Sequence, residues 1–135
     1  MAIFGALDAA VSGATVSRVW LDAISDNVAN VNTMRATNQE PFRARMVVVN
    51  EVGRQTGETG GVRTVRIADR PGQPELVYDP SHPLADENGM VERPNVDLSV
   101  EMTNLLIANR TYQSNLRVIE IARSTYQSAL RIGDK

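Results

Sequence analysis

The chain reads as an α+β fold: long N- and C-terminal helices pairing as a coiled-coil-like hairpin, with a small, mainly β insert between them. Three observations predict it. Heptad stripes sit at both ends, a β-type run occupies the middle, and five of the six prolines (Pro71, Pro74, Pro80, Pro83, Pro94) crowd between 71 and 94. Proline lacks an amide hydrogen and clashes with the preceding turn, so that last stretch cannot be helical.

The first stripe is Phe4, Leu7, Val11, Ala14, Arg18, Leu21, Ser25 and Val28, at alternating spacings of three and four. Such alternation places all eight on one helix face and favours a left-handed seam. Residues 3–31 therefore read as a helix of ~43 Å. Asp8, Ser12, Ser17, Asp22 and Asp26 lie mostly off its stripe. Gly5 and Gly13 each cost roughly 1 kcal/mol relative to alanine, so this helix depends on packing. Asn27, Asn30, Asn32 and Thr33 form a dense polar cluster at its end. A helix terminus explains one asparagine; the density of the others suggests specific hydrogen bonding with a partner.

Residues 32–41 have no period and end in Pro41, which reads as a loop. From Phe42 to Val52 the texture is β, with Phe42, Ala44, Met46 and Val48 on one side. Gly53 to Gly61 reads as a mobile hairpin loop, followed by a second strand over 62–67. Leu76-Val77-Tyr78 fits a short strand, and Asn88-Gly89 is a tight-turn signal. Asn95 or Asp97 caps the last helix, with Glu101 facing the positive end of its dipole. That helix runs to about Ile132, spans ~52 Å, and stops at Gly133. Its stripe is Leu98, Met102, Leu105, Asn109, Tyr112, Leu116, Ile119, Arg123, Tyr126 and Leu130, with a second row (Ile107, Val118, Ile121, Ala122, Ala129, Ile132) beside it. One partner helix cannot cover so wide a face, so neighbouring subunits are expected to. The resulting division is 1–33 with 95–135 as the helical unit, 34–78 as the β-rich insert, and 79–94 as a Pro-rich linker.

Composition narrows function. The chain has 135 residues, 42% hydrophobic, 4% aromatic, and a net charge of −2. That suffices for one domain with a modest core and offers no electrostatic reason for nucleic acid or an anionic membrane. With no cysteine, thiolate nucleophiles and disulfides are excluded. The start has no basic region and Asp8 interrupts its apolar run, so no cleavable signal peptide and no membrane insertion are expected. His82, the only histidine, lies in a loop near Asp79 and Asp86, but no nucleophile and orienting group accompany it. Asp79, Asp86, Glu87 and Asn88 miss EF-hand spacing, because Leu84 falls where the first ligand belongs. The glycines at 53, 57, 60 and 61 form neither a Walker loop nor a dinucleotide fingerprint. No cofactor or metal is expected, and the chain does not read as an enzyme. Arg18, Ser25, Asn109 and Arg123 interrupt the stripes; polar residues at seam positions set register and partner number at some loss of stability.

Two runs carry a family resemblance. Ser25-Asp26-Asn27-Val28-Ala29-Asn30-Val31-Asn32-Thr33, followed by Pro41-Phe42-Arg43-Ala44-Arg45, resembles the N-terminal signature of bacterial flagellar rod and hook proteins, with Phe42 where tyrosine is usual. Residues 79–91, Pro94-Asn95-Val96-Asp97, Glu101-Met102 and Asn109-Arg110-Thr111-Tyr112-Gln113 look like the proximal-rod members of that family. The resemblance covers both helices and the 79–96 segment. It implies a non-enzymatic structural subunit whose terminal helices line an axial tube around an export channel and whose β insert lies outside. It also implies export by the flagellar type III apparatus without a cleavable signal, a periplasmic basal-body location, and a role in torque transmission. The implied partners are other rod proteins, the membrane-ring/export-gate junction protein and copies of the chain itself. The expected subunit-interface residues are Phe4, Leu7, Val11, Leu21, Asn27, Val28, Asn30, Thr33, Met102, Leu105, Asn109, Tyr112, Leu116, Ile119, Arg123, Tyr126 and Leu130. The rival from another class is a soluble coiled-coil adaptor or export chaperone, which shares the stripes but has no use for the 79–96 motif.

Overall fold

A computed structural model describes residues 2–52 and 60–133. Helix α1 (Ala2–Ala29) is followed by strands β1 (Arg45–Val52), β2 (Gly61–Asp69), β3 (Glu75–Tyr78) and β4 (Met90–Arg93), and helix α2 (Leu98–Gly133) closes the chain. The architecture is the expected α+β one. The loop expected over 53–61 lies, for residues 53–59, outside the described residues.

The helices run antiparallel. Asn27 meets Glu101 near one end, Gly13 abuts Asn115 midway, and the rings of Phe4 and Tyr126 meet edge to face at 5.9 Å near the other. Asp97 starts α2: its Oδ1 accepts hydrogen bonds from the amides of Ser99 (2.8 Å) and Val100 (3.2 Å), satisfying two of the donors that a helix N-terminus leaves open.

The insert comprises two separate hairpins, β1–β2 and β3–β4, both antiparallel. In the first, register slips between Val48 and Val49, a bulge that strengthens local twist. This hairpin docks on α1 through Ser12, whose Oγ donates to Ala9 O (2.8 Å) and accepts from the Val62 amide (3.1 Å). In the second, the segment read as a linker supplies a strand, because β4 pairs with β3 in register from Glu75↔Arg93 to Tyr78↔Met90. The loop before β1 is tied to this hairpin: Arg35 and Glu92 exchange both backbone hydrogen bonds at 2.9 Å. Gly89 turns the chain with φ +75° and has Pro80 and Tyr78 within 3.0 Å of where a Cβ would stand, so only glycine fits without strain.

The core is narrow and made largely of small residues. Ala10, Ala14, Ala23, Ile24, Ala44, Val91 and Ala108 are its buried apolar members. Ser17, expected off the stripe, is buried with them; its hydroxyl donates to Gly13 O at 2.8 Å, so it packs as a small residue without an unmet donor.

Candidate assembly interface

The seam between α1 and α2 uses half of each expected stripe. Leu7, Ala14, Leu21 and Val28 lie at or beside it, as do Leu105, Tyr112 and Ile119. The alternate rows are displaced by one residue. In α1 the buried positions are Ala10, Ser17 and Ile24, while Val11, Arg18 and Ser25 face out. In α2 Glu101 and Ala108 are buried and Asn115 and Ala122 half-buried, while Met102, Asn109, Leu116, Arg123 and Leu130 are exposed. The cause is steric. Gly13, Ala14 and Ala108 leave room at the seam, and a Cβ on Gly13 would stand 2.8 Å from the Asn115 side-chain amide. Bulky Val11 and Leu116 would hold the helices apart and are turned outward.

Much apolar surface is left uncovered. Phe4 and Val11 are exposed on α1, and Met102, Leu116, Tyr126 and Leu130 on α2, together with Leu106, Ile107, Val118, Ile121 and Ile132. Ile132 retains 78% of its accessible area. Exposure on this scale in a monomer marks an interaction surface. Among the described residues, no helix is long and apolar enough to cross a membrane.

Three members of the polar cluster at the end of α1, Asn27, Asn30 and Thr33, are held within the chain, while Asn32 is exposed. Asn27 is fully buried; its Nδ2 donates to Arg45 O (2.9 Å) and Glu101 Oε2 (3.2 Å), and its Oδ1 accepts from the Arg45 amide (2.7 Å). Asn30 is half-buried and donates to Asp26 O (2.8 Å), and the Thr33 hydroxyl donates to Asn30 Oδ1 (3.2 Å). Glu101 stands in the first turn of α2, as expected, and is fully buried there against the Arg70 guanidinium at 2.8 Å. One node therefore joins α1, α2, the start of β1 and the residue that follows β2. Sequence reasoning missed Glu101 and Arg70 as its members, although Glu101 belongs to the segments that carry the family resemblance.

The 79–90 turn is closed by its own carboxylates. Asp79 Oδ1 accepts from the Ser81 hydroxyl (2.7 Å) and amide (3.2 Å), and the Ser81 hydroxyl chiefly holds the Asp79 carboxyl below the usual carboxylate range. Asp86 Oδ1 accepts from the Met90 (2.9 Å) and Asn88 (2.8 Å) amides and Oδ2 from the Thr37 hydroxyl (3.3 Å); the Met90 amide is the main cause of its lowered pKa. His82 Nδ1 accepts from the Leu84 amide at 3.1 Å, a local turn contact. These oxygens and this nitrogen hold a loop shape.

Comparison of the sequence with known proteins points to one group. The family described as "Flagella basal body rod protein" matches residues 7–37, and the one described as "Flagellar basal body rod FlgEFG protein C-terminal" matches residues 87–132. The flagellar basal-body rod protein FlgC of Yersinia enterocolitica is 35% identical over 133 residues, covering 98% of this chain and 99% of the relative. The FlgC proteins of Salmonella typhimurium strain LT2 (over 133 residues) and Bacillus subtilis strain 168 (over 149 residues) are each 34% identical, with the same coverage.

Proposed function

The chain belongs to the FlgC family of flagellar basal-body rod proteins, structural rather than enzymatic, and on that premise we propose that it builds the proximal rod by packing its terminal helices into an axial tube. The tube encloses the protein-export channel and transmits torque. The observation that carries this reading is the helical hairpin that covers one side of α2 and leaves apolar residues exposed along its whole length. Area removed from water contributes roughly 25 cal/mol per Å², so a neighbour that covers this face gains what the monomer leaves in solvent. The partners are other rod proteins, the junction protein between membrane ring and export gate, and further copies. The chain reaches the periplasm through the flagellar type III apparatus without a cleaved signal. In this reading 1–33 with 95–135 forms the tube-lining unit, and the exposed members of the expected interface, from Phe4 and Val11 to Leu116 and Leu130, are its contacts. A soluble adaptor or export chaperone accounts for the stripes but not for near-full-length relatives that are rod proteins.

Leu116→Asp tests the reading. Leu116 is 39% exposed and outside the seam, so the monomer folds and is exported. Motility and rod growth are lost, because a carboxylate cannot be desolvated between helices at tolerable cost. Normal swimming by this variant overturns the assembly role of the helices.

A further inference from the structure

Asn88-Gly89 is the only Asn-Gly pair in the chain; every other asparagine precedes a residue that carries a Cβ. The pair has a chemistry of its own. A main-chain amide nitrogen that loses its proton can attack the side-chain carbonyl carbon of the asparagine before it. A Cβ on the attacking residue crowds that approach, and glycine removes both the obstacle and the restriction on φ. Asn88 is exposed to water, whereas Gly89 is buried.

In the folded turn three successive amides hang on one residue. The Asn88 amide donates to Asp86 Oδ1 at 2.8 Å and the Met90 amide to the same oxygen at 2.9 Å. The Gly89 amide, whose nitrogen is the nucleophile, donates to the Asp86 carbonyl at 2.9 Å. The Gly89 carbonyl in turn accepts from the Asp79 amide at 2.9 Å, and the Thr37 hydroxyl holds Asp86 Oδ2 at 3.3 Å. A hydrogen-bonded amide gives up its proton only after local opening. One turn therefore contains a reactive pair and the group that restrains it.

We propose that Asn88 is a latent deamidation site and that Asp86 is the latch that keeps it closed in the folded chain. Once the turn opens, a base in solvent takes the Gly89 amide proton. The nitrogen bonds to Asn88 Cγ, and Nδ2 takes a proton from solvent and leaves as ammonia, which closes a cyclic imide. Water then adds to one imide carbonyl and breaks its bond to nitrogen. Hydrolysis at Cγ gives aspartate; hydrolysis at the main-chain carbonyl gives isoaspartate. Both products work against the turn. Aspartate makes a third consecutive carboxylate after Asp86 and Glu87, and like charges so close repel. Isoaspartate adds one atom to the main chain just before Gly89, which displaces the amides that Asp86 holds and the Tyr78↔Met90 end of the hairpin. The change is one-way, so a chain that reacts here no longer closes the same turn.

The purified full chain is incubated at neutral pH, folded and in urea, and the peptide containing Asn88 is followed by mass spectrometry. Deamidation reads as a gain of one mass unit, and fragmentation separates isoaspartate from aspartate. Expected is reaction at Asn88 in urea and a rate at least about tenfold lower in the folded chain. Asp86→Ala, which removes the side-chain acceptor, reacts near the urea rate while circular dichroism shows both helices retained. Asp86→Asn, which keeps a side-chain oxygen, stays near the wild-type rate. Should Asp86→Ala fail to fold, Thr37→Val, which releases only Oδ2, gives an intermediate rate. No reaction at Asn88 in urea overturns the site, and a folded rate equal to the urea rate overturns its latency. A folded Asp86→Ala chain, or Thr37→Val in its place, that reacts as slowly as the wild type overturns the latch. The measurement is made on the dilute monomer, so its outcome is independent of the rod reading.

Discussion

At the scale of single residues, the buried node decides whether insert and helices form one unit. Glu101 has no exposed area and lies against Arg70, which is about one-third exposed. Removing one partner of a buried pair leaves a charge without compensation and costs about 3–5 kcal/mol; replacing both by neutral groups costs far less. Arg70→Gln is thus expected to cost about 3 kcal/mol, at the lower end because water reaches the guanidinium. Adding Glu101→Gln recovers much of that loss, and urea denaturation of both variants measures the coupling. The 79–90 turn gives a second expectation. Asp79 and Asp86 titrate below their ordinary value of 3.8, so each contributes stability that is fully present above that value and lost as pH falls through the lowered one. The turn loosens below about pH 4, visible as acid-induced shifts of the Ser81, Asn88 and Met90 amide resonances. Asp86→Asn removes the Asn88 and Met90 part of that response; an unaltered titration counts against the carboxylate's role.

At the scale of elements, small residues set the packing, and this is where the sequence was only half legible. The helices, their pairing and a cap at Asn95 or Asp97 follow from period and end signals, and the structure selects Asp97. One row of each stripe, Leu7 to Val28 and Leu105 to Ile119, also lies where hydrophobicity puts it. The other row is one residue away, because Ala10, Ser17 and Ala108 carry little hydrophobic signal yet permit the closest approach. Glu101 was illegible for a related reason. A charged side chain reads as solvated until its neighbours are known, and Asn27 lies 74 residues away in sequence. Gly13 tests the steric argument. Gly13→Val adds atoms where Asn115 already stands within 2.8 Å. Overpacking costs about 1–3 kcal/mol, and the low end applies because the contact is the end of the Asn115 side chain, which can swing aside, so the thermal midpoint falls slightly; a higher midpoint means that close approach does not set the seam. Asp97→Ala removes the cap and costs about 1 kcal/mol, read from the same melts.

At the scale of the whole molecule, the two helices are unequal. α1 has 28 residues and α2 has 36, and with Phe4 already opposite Tyr126 the last turns of α2 extend beyond their partner. Protection must therefore be graded. Near Glu101 the helix is clamped by Asn27 and by Arg70 of the insert; from Ala108 to Ala122 it has α1 alone; beyond Tyr126 it has neither. Isolated helical turns are marginal in water, and local opening follows the density of buried contacts. In a dilute monomer, amide hydrogens near 101–108 are expected to exchange slowest and those near 127–132 close to the rate of an open chain. In assembled rods the gradient flattens, because neighbours cover the flanks and tip of α2. Comparison of hydrogen exchange between monomer and particle measures this directly. Uniform protection through Ile132 in the monomer means that the hairpin is stable without neighbours, and the exposed flanks then have no thermodynamic reason to seek them.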